Sequence, residues 1–280
     1  MTTVLARIGQ ARIGQARIGQ VESPRVPWRG MAAVSVPRAI FLGGAGVHWT
    51  ESPPPPELAP WVAVVWRLRS DRVAELRVIP DGCTDIIGDE VVGSLSSAIV
   101  ATLQPGEDTC GIRLRPGAFT ALFGVPASEL VDQRIPLADI TRARRLRDLA
   151  RDAERPDPLA EAALYAPDIR ALARDTGYSA RQLHRRVLAA TGHNPKRLSR
   201  IGRMQALLAA GRGESWARTA AAFGFHDEAH MINDVRRLAD ATPEAMLGPI
   251  TSQGRSGFRG RSPDPRGRAR PERARSHGRR

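Results

Sequence analysis

The sequence predicts an α+β protein, with a strand-rich N-terminal domain followed by an all-α tandem helix-turn-helix domain. Short apolar runs divided by turn signals fill residues 61–116, which is typical of strands. From about Leu159 onward, apolar residues instead recur at helical spacing between capping residues. The charge balance changes as well. Residues 31–164 carry fourteen Lys and Arg against eighteen Asp and Glu, whereas 165–248 carry thirteen against eight.

The N-terminal strands are separated by turn signals such as "PDG" at 80–82 and "QPGED" at 104–108. Two short helices, "GAFTALFG" and "PASELVDQ", follow the strands. Apolar spacing then predicts one helix over 137–153, and "ERPDP" at 154–158 ends it and predicts a linker. The predicted strands are 61–69, 75–80, 84–93, 97–104 and 110–116.

The helical half repeats one supersecondary unit. In the first copy a turn with Gly177 and Tyr178 precedes a helix capped by Ser179, and in the second Gly224 and Phe225 precede one capped by Asp227. One such unit fits any packed helix pair, whereas two copies around a helix of about seventeen residues indicate a tandem helix-turn-helix. The predicted helices are 168–177, 179–192, 195–211, 215–224 and 227–240.

Both ends of the chain differ in composition from its body. "ARIGQ" occurs three times within residues 1–30, and 251–280 is rich in Arg, Gly and Pro, so we predict that both are disordered. The folded domains are then expected at 31–155 and 159–248. Two cysteines in 280 residues, with no signal peptide and no long apolar run, predict a cytoplasmic protein without a membrane partner.

His226 and His230 are four residues apart, which is the spacing of two zinc ligands on one helix. A zinc protease motif needs Glu directly after the first His or directly before the second, and those positions hold Asp227 and Ala229. No ligand-like cluster is formed by the other histidines, His48, His184, His193 and His277. The sequence therefore predicts no metal and no cofactor, and it assigns Asp227 to capping a helix.

Two stretches, "LARDTGYSARQLHRRVLAATGHNPKRLSRIGRMQALL" and "AAAFGFHDEAHMINDVRRLADATPEAML", carry a family resemblance. Residues 165–248 resemble the DNA-binding domain of AraC-type transcription regulators. "VIPDGCTDII" and "GIRLRPGAFTALFGVPASELVD" resemble an uncharacterised N-terminal domain that accompanies it in some bacterial regulators. The resemblance implies that the second helix of each unit enters one of two successive major grooves of double-stranded DNA.

The resemblance also assigns the residues that contact DNA. In the first unit Arg181, His184 and Arg185 are implied to face base edges, whereas Leu183 and Val187 face the core. In the second unit the base-facing positions hold Glu228, Ala229, His230 and Asn233. The phosphate candidates are Arg186, Lys196, Arg197 and Arg200, and Arg236 is a further DNA-binding candidate.

The chain departs from the family at three of these positions. Asn233 stands where family members usually have Arg, while Val187 and Val235 stand where they usually have Phe. Asn233 can still pair with adenine, but Glu228 repels phosphate. We therefore expect the second unit to bind more weakly than the first.

The N-terminal domain is expected to control DNA binding through a small-molecule effector or a homodimer, and not as an enzyme. Its aromatic residues Trp61, Trp66, Phe119 and Phe123 are candidates to line an effector pocket. RNA polymerase is a further expected partner of a nucleoid-associated regulator. Two alternatives stay open at this point: a non-specific nucleic-acid binder driven by the basic tail, and an enzyme that uses the N-terminal domain.

Overall fold

The structure, a computed structural model, describes residues 46–143, 145–211 and 215–247. It confirms the α+β layout, with strands first and helices after them. The predicted disordered segments 1–30 and 251–280 lie outside the described residues.

An antiparallel six-stranded sheet, in the order β1-β2-β7-β4-β5-β8, forms the centre of the N-terminal region. A separate antiparallel pair, β3 and β6, lies beside it. The strands are β1 (Val47–Ser52), β2 (Val62–Ser70), β3 (Ala74–Val78), β4 (Asp85–Ile87), β5 (Glu90–Val92), β6 (Ile99–Leu103), β7 (Asp108–Leu114) and β8 (Arg134–Pro136).

The described residues also form ten α-helices. Three belong to the N-terminal half: α1 (Ala118–Phe123), α2 (Leu137–Ile140) and α3 (Leu146–Asp152), with a 3₁₀ turn at Ala127–Glu129. The helical region contains α4 (Pro158–Tyr165), α5 (Ile169–Thr176), α6 (Ala180–Thr191), α7 (Pro195–Ala210), α8 (Trp216–Ala222), α9 (Glu228–Ala239) and α10 (Pro243–Leu247). None of the helices in the described ranges is long and apolar enough to cross a membrane.

The predicted helix over 137–153 was wrong as a single helix. It ends at Ile140, continues through extended Thr141 and Arg145, and resumes at Leu146. The break lets Ile140 and Ala150 both pack into the core that contains Phe119. Apolar spacing alone fitted a continuous helix, but burial of both ends against one core overrides it.

Two strands also differ from the prediction. The run 84–93 is a hairpin of β4 and β5, turning at Gly88, whose φ of 59° suits glycine. Strand β1, at the edge of the large sheet, was not predicted, although Trp49 and Val47 alternate with exposed residues there. The other four predicted strands are confirmed as β2, β3, β6 and β7.

Helices α4 and α7 approach each other closely at Gly202. A Cβ atom at Gly202 would lie 1.8 Å from the carbonyl oxygen of Leu164, so only glycine fits without moving a backbone. Ser199, one turn earlier, donates from its hydroxyl to the carbonyl of Ala166 at 2.7 Å. Through these contacts α4 fixes the position of α7, which connects the two helix-turn-helix units.

The N-terminal region packs directly on α7. Gln205 Nε2 donates to the carbonyl of Pro80 at 2.7 Å, and Arg197 Nη2 donates to the carbonyl of Ser96 at 2.6 Å. Ile79, which follows β3, is 1% exposed and belongs to the same core as α7. All described residues fall within one compact unit.

The same region also touches the C-terminal ends of α6 and α9. Ser94 Oγ donates to the carbonyl of Thr191 at 2.9 Å, at the end of α6. The backbone N–H of Ala98 donates to the carbonyl of Leu238 at 2.7 Å, and Arg77 donates to the carbonyl of Ala239 at 3.2 Å. These contacts lie at the C-terminal ends of α6 and α9 and not in their N-terminal halves.

Candidate DNA-binding surface

The first helix-turn-helix unit consists of α5, a three-residue turn and α6. Gly177, at φ 70°, ends α5, and Ser179 begins α6 with a capping box in which its side chain and that of Gln182 bond reciprocally. Tyr178 lies between them, with the guanidinium of Arg186 4.7 Å above its ring centroid. Arg186 also donates from Nε to Asp157 Oδ2 at 2.9 Å and so ties the turn to the start of α4.

The second unit consists of α8, a five-residue turn and α9. Gly224 is at φ 73°, Phe225 is 5% exposed, and Asp227 Oδ1 accepts from the backbone N–H of His230 at 2.7 Å. Arg203 of α7 covers the Phe225 ring at 5.1 Å and donates to the carbonyl of Gly224 at 2.8 Å. In each unit the aromatic ring of the turn thus lies under an arginine guanidinium.

Helix α6 separates its side chains into an inner and an outer face. Leu183 and Val187 are 1% and 0% exposed, as predicted. Arg181, His184 and Arg185 are all exposed in the N-terminal half of α6. The structure therefore brings the three predicted base-facing residues of the first unit together on one solvent-facing surface.

The exposed base-facing residues of α9 include no arginine, unlike those of α6. Met231 and Val235 are fully buried, while Glu228, Ala229 and Asn233 are exposed.

His230, the remaining predicted base-facing residue of α9, is half-buried. Its Nδ1 accepts from the backbone N–H of His226 at 3.2 Å, and its Nε2 lies 3.5 Å from Asp234. Both ring nitrogens therefore already have partners within the protein. Across the described ranges no group of three or more His, Cys, Asp or Glu side chains could hold a metal ion.

The predicted phosphate-contacting residues fall into two groups. Lys196, at the start of α7, and Arg236, on α9, are exposed. Arg186, Arg197 and Arg200 are half-buried, and each donates to a protein oxygen, those of Asp157, Ser96 and Asp234. Arg186 and Arg200 thus make contacts within the helical region and its first capping residue, whereas Arg197 joins α7 to the N-terminal region.

Asp234 is a residue of the site that sequence reasoning missed. It is 4% exposed and accepts two hydrogen bonds from Arg200, Nε to Oδ2 at 2.9 Å and Nη2 to Oδ1 at 2.7 Å. This bidentate pair joins α7 to α9. A signal was present, because Asp234 follows Met231 by three residues and precedes Leu238 by four, so it lies on the buried side of α9.

Two family models match the chain. Residues 172–248 match a helix-turn-helix domain, and residues 50–136 match a domain of unknown function, DUF6597. Residues 172–248 form an AraC-type helix-turn-helix domain. The AraC-type domain contains α6, α7, α8 and α9 in full, with both turns.

The domain order is that of an AraC-type regulator with an uncharacterised N-terminal domain. The 50–136 match covers β2 to β8 and therefore the whole N-terminal surface that contacts the AraC-type domain through Pro80, Ser96 and Ala98. No curated protein and no solved structure matches the chain.

Proposed function

We propose that this protein is a sequence-specific transcription regulator that inserts α6 and α9 into successive major grooves of double-stranded DNA. The AraC-type domain supports DNA binding. The observation that carries the finer proposal is that the N-terminal halves of both helices are exposed, while their C-terminal ends are fixed by contacts with the N-terminal region. The N-terminal residues of a recognition helix are those that reach base edges.

Base recognition in the first groove is assigned to Arg181, His184 and Arg185. Two arginines on one exposed face suit guanine O6 and N7, which accept bidentate hydrogen bonds in the major groove. In the second groove the assigned residues are Glu228 and Asn233, together with His230, which would have to exchange a partner within the protein for a base. Asn233 suits adenine, and Glu228 suits the cytosine amino group, so the second unit contributes selectivity more than affinity.

Phosphate contacts are assigned first to Lys196 and Arg236, whose side chains face solvent. Arg186, Arg197 and Arg200 use one or two of their five N–H donors inside the protein, and we assign their remaining donors to phosphate contacts as well. Their fixed positions lower the conformational entropy lost on binding a phosphate.

The N-terminal region is proposed to be regulatory and not catalytic. Its contacts to α6, α7 and α9 support this proposal, because a conformational change of the N-terminal region would alter the spacing of the two recognition helices. A homodimer would double the number of grooves occupied and raise affinity without new base contacts. Such a regulator acts at the chromosome, in the cytoplasm, with RNA polymerase as its expected functional partner.

A non-specific nucleic-acid binder is the competing function, since net charge alone gives affinity without sequence preference. It is disfavoured by an exposed face that mixes Arg with His, Asn and Glu, side chains suited to base edges.

Arg185→Ala and Lys196→Ala separate the two functions. Arg185→Ala is expected to cost about 1–3 kcal/mol at the preferred site and to relax base preference at one position, because it removes a bidentate base contact. Lys196→Ala is expected to weaken binding to all sequences alike and to reduce the salt dependence. Affinities are measured over a salt series on specific and scrambled DNA. Equal, sequence-independent losses for both variants would contradict the assignment of α6.

A further inference from the structure

A cavity of about 230 Å³ lies between the large sheet and the β3–β6 pair. Trp66 forms one wall and stacks on Trp49, with ring centroids 4.7 Å apart. Of the four aromatic residues predicted to line a pocket, only Trp66 does so; Trp61 and Phe119 are buried in a different core, against which Phe123 packs. Further apolar side chains of the wall include Leu68, Leu76, Val78, Ile87 and Leu103.

The polar end of the cavity holds one arginine between two aspartates. Arg113, whose side chain is 2% exposed, lies 3.0 Å from Asp81 Oδ2 through Nε and 3.1 Å from Asp85 Oδ2 through Nη2. Asp85 also accepts from Trp66 Nε1 at 3.1 Å. Burial raises the pKa of Asp81, with Arg113 opposing and Asp85 reinforcing that shift.

The cavity lining is therefore electrically unbalanced. The buried charged side chains of the lining are Asp81, Asp85 and Arg113, two acids against one arginine. Glu107 and Arg134 also line the cavity but are partly or mostly exposed, and Arg134 pairs with Glu90. Burial, which raises the pKa of Asp81, disfavours its charged form, and a ligand cation beside the two aspartates would favour that form.

We propose that this cavity is a binding site for a small organic cation, an ammonium group on an aromatic or apolar body. The ammonium would lie toward the aspartates and the apolar body between the tryptophans and the leucines. The volume lies below the range of roughly 300–1,000 Å³ that drug-sized ligands occupy, so the ligand is small.

Two segments of the cavity wall touch the helical region directly. In the first, Ile79 lines the cavity and packs in the helical core, and the next residue, Pro80, accepts from Gln205 of α7. A Cβ atom at Gly82, close by, would lie 2.7 Å from the side chain of Leu198 of α7, so the backbone of this segment packs closely against that helix.

In the second segment, Leu95 and Ile99 line the cavity. Between them Ser96 accepts from Arg197 of α7, and Ala98 donates to Leu238 of α9. A ligand that displaces these wall residues therefore biases the position of both α7 and α9. This second part of the proposal, the regulation of α7 and α9 by the ligand, rests on the proposed DNA-binding function, whereas the binding site itself does not.

The test compares three ligands of one shape and different charge by calorimetry on the full chain without DNA: 2-phenylethylamine, 2-phenylethanol and phenylacetate. At pH 7 the amine is expected to bind at least about tenfold more tightly than the alcohol, with phenylacetate weakest. Equal affinities, a preference for phenylacetate, or no amine binding at millimolar concentration would overturn the site.

Two variants locate the site. Ala101→Phe fills the cavity without removing a polar contact and is expected to weaken the amine and the alcohol alike by about tenfold or more. Asp85→Asn removes the excess charge and is expected to abolish the preference for the amine, whereas the exposed Asp71→Asn, outside the cavity, leaves it intact. Circular dichroism melts establish folding, and if Asp85→Asn does not fold, Ala101→Phe decides. Unchanged binding to a folded Ala101→Phe variant would contradict the proposal.

The regulatory half is tested separately by adding saturating 2-phenylethylamine to the DNA-binding assay. DNA affinity is expected to change about fivefold or more. If the amine binds but DNA affinity is unchanged, the binding site stands and its coupling to α7 and α9 is refuted. If DNA binding itself is absent, the calorimetry still decides the site.

Discussion

Gly202→Ala is expected to lower the free energy of unfolding by about 3 kcal/mol, near the upper end for overpacked cores. A methyl group there would lie 1.8 Å from the carbonyl oxygen of Leu164, so α4 and α7 must separate. Helix propensity predicts the opposite sign, since Ala favours a helix interior over Gly by about 1 kcal/mol. Urea unfolding followed by circular dichroism measures the change.

The matched control is Ala206→Gly, one turn further along the exposed side of α7. It is expected to cost about 1 kcal/mol through propensity alone. A stabilised Gly202→Ala variant would mean that α4 does not lie against α7 as described, and the position of the central helix would have to be revised.

Asp234→Asn is expected to lower the free energy of unfolding by about 2–3 kcal/mol. Breaking a buried ion pair costs roughly 3–5 kcal/mol, and the partial exposure of Arg200, at 23%, reduces that figure. Because the pair joins α7 to α9, specific DNA affinity is also expected to fall, with the loss confined to the half-site of the second unit. Denaturant unfolding and footprinting measure the two effects.

Asp108→Asn is the control for this prediction. Asp108 also accepts a bidentate pair, from Arg67, but on the exposed surface of β2 and β7, where water screens the charges. Its substitution is expected to leave stability and DNA binding nearly unchanged. Equal effects of the two substitutions would show that burial at Asp234 has no energetic consequence.

Local sequence signals were enough for most elements. Capping residues bounded α5, α6 and α9 within a residue, because Asp168, Ser179 and Asp227 each accept from a backbone N–H of the helix they begin. The run 84–93 was predicted as one strand, although Gly88 and Asp89 within it favour the turn that makes it a hairpin.

The features that the sequence did not predict depend on contacts between residues that are far apart in the chain. Nothing local indicates that Ile140 and Ala150 share a core and so interrupt a helix. The contact of Gln205 with Pro80 joins residues 125 positions apart and depends on how two regions dock. The same holds for the cavity, whose charged end combines Asp81 and Asp85 with Arg113 from another strand.

The candidate DNA surface was predictable where it depended on helix periodicity. Leu183 and Val187 inside and Arg181 and Arg185 outside follow from spacing on α6. The engagement of Arg200 with Asp234 did not follow, because a pattern of charges on one helix does not identify a partner on another.

The most direct test of the account is selection of binding sites from random DNA with the full chain, followed by footprinting of the selected sequence. The account predicts two protected major-groove segments on one face, centred about 10 base pairs apart. Arg185→Ala should change base preference in one segment and Asn233→Ala in the other. Enrichment of no sequence, or changes from both variants within a single segment, would contradict two recognition helices in successive grooves.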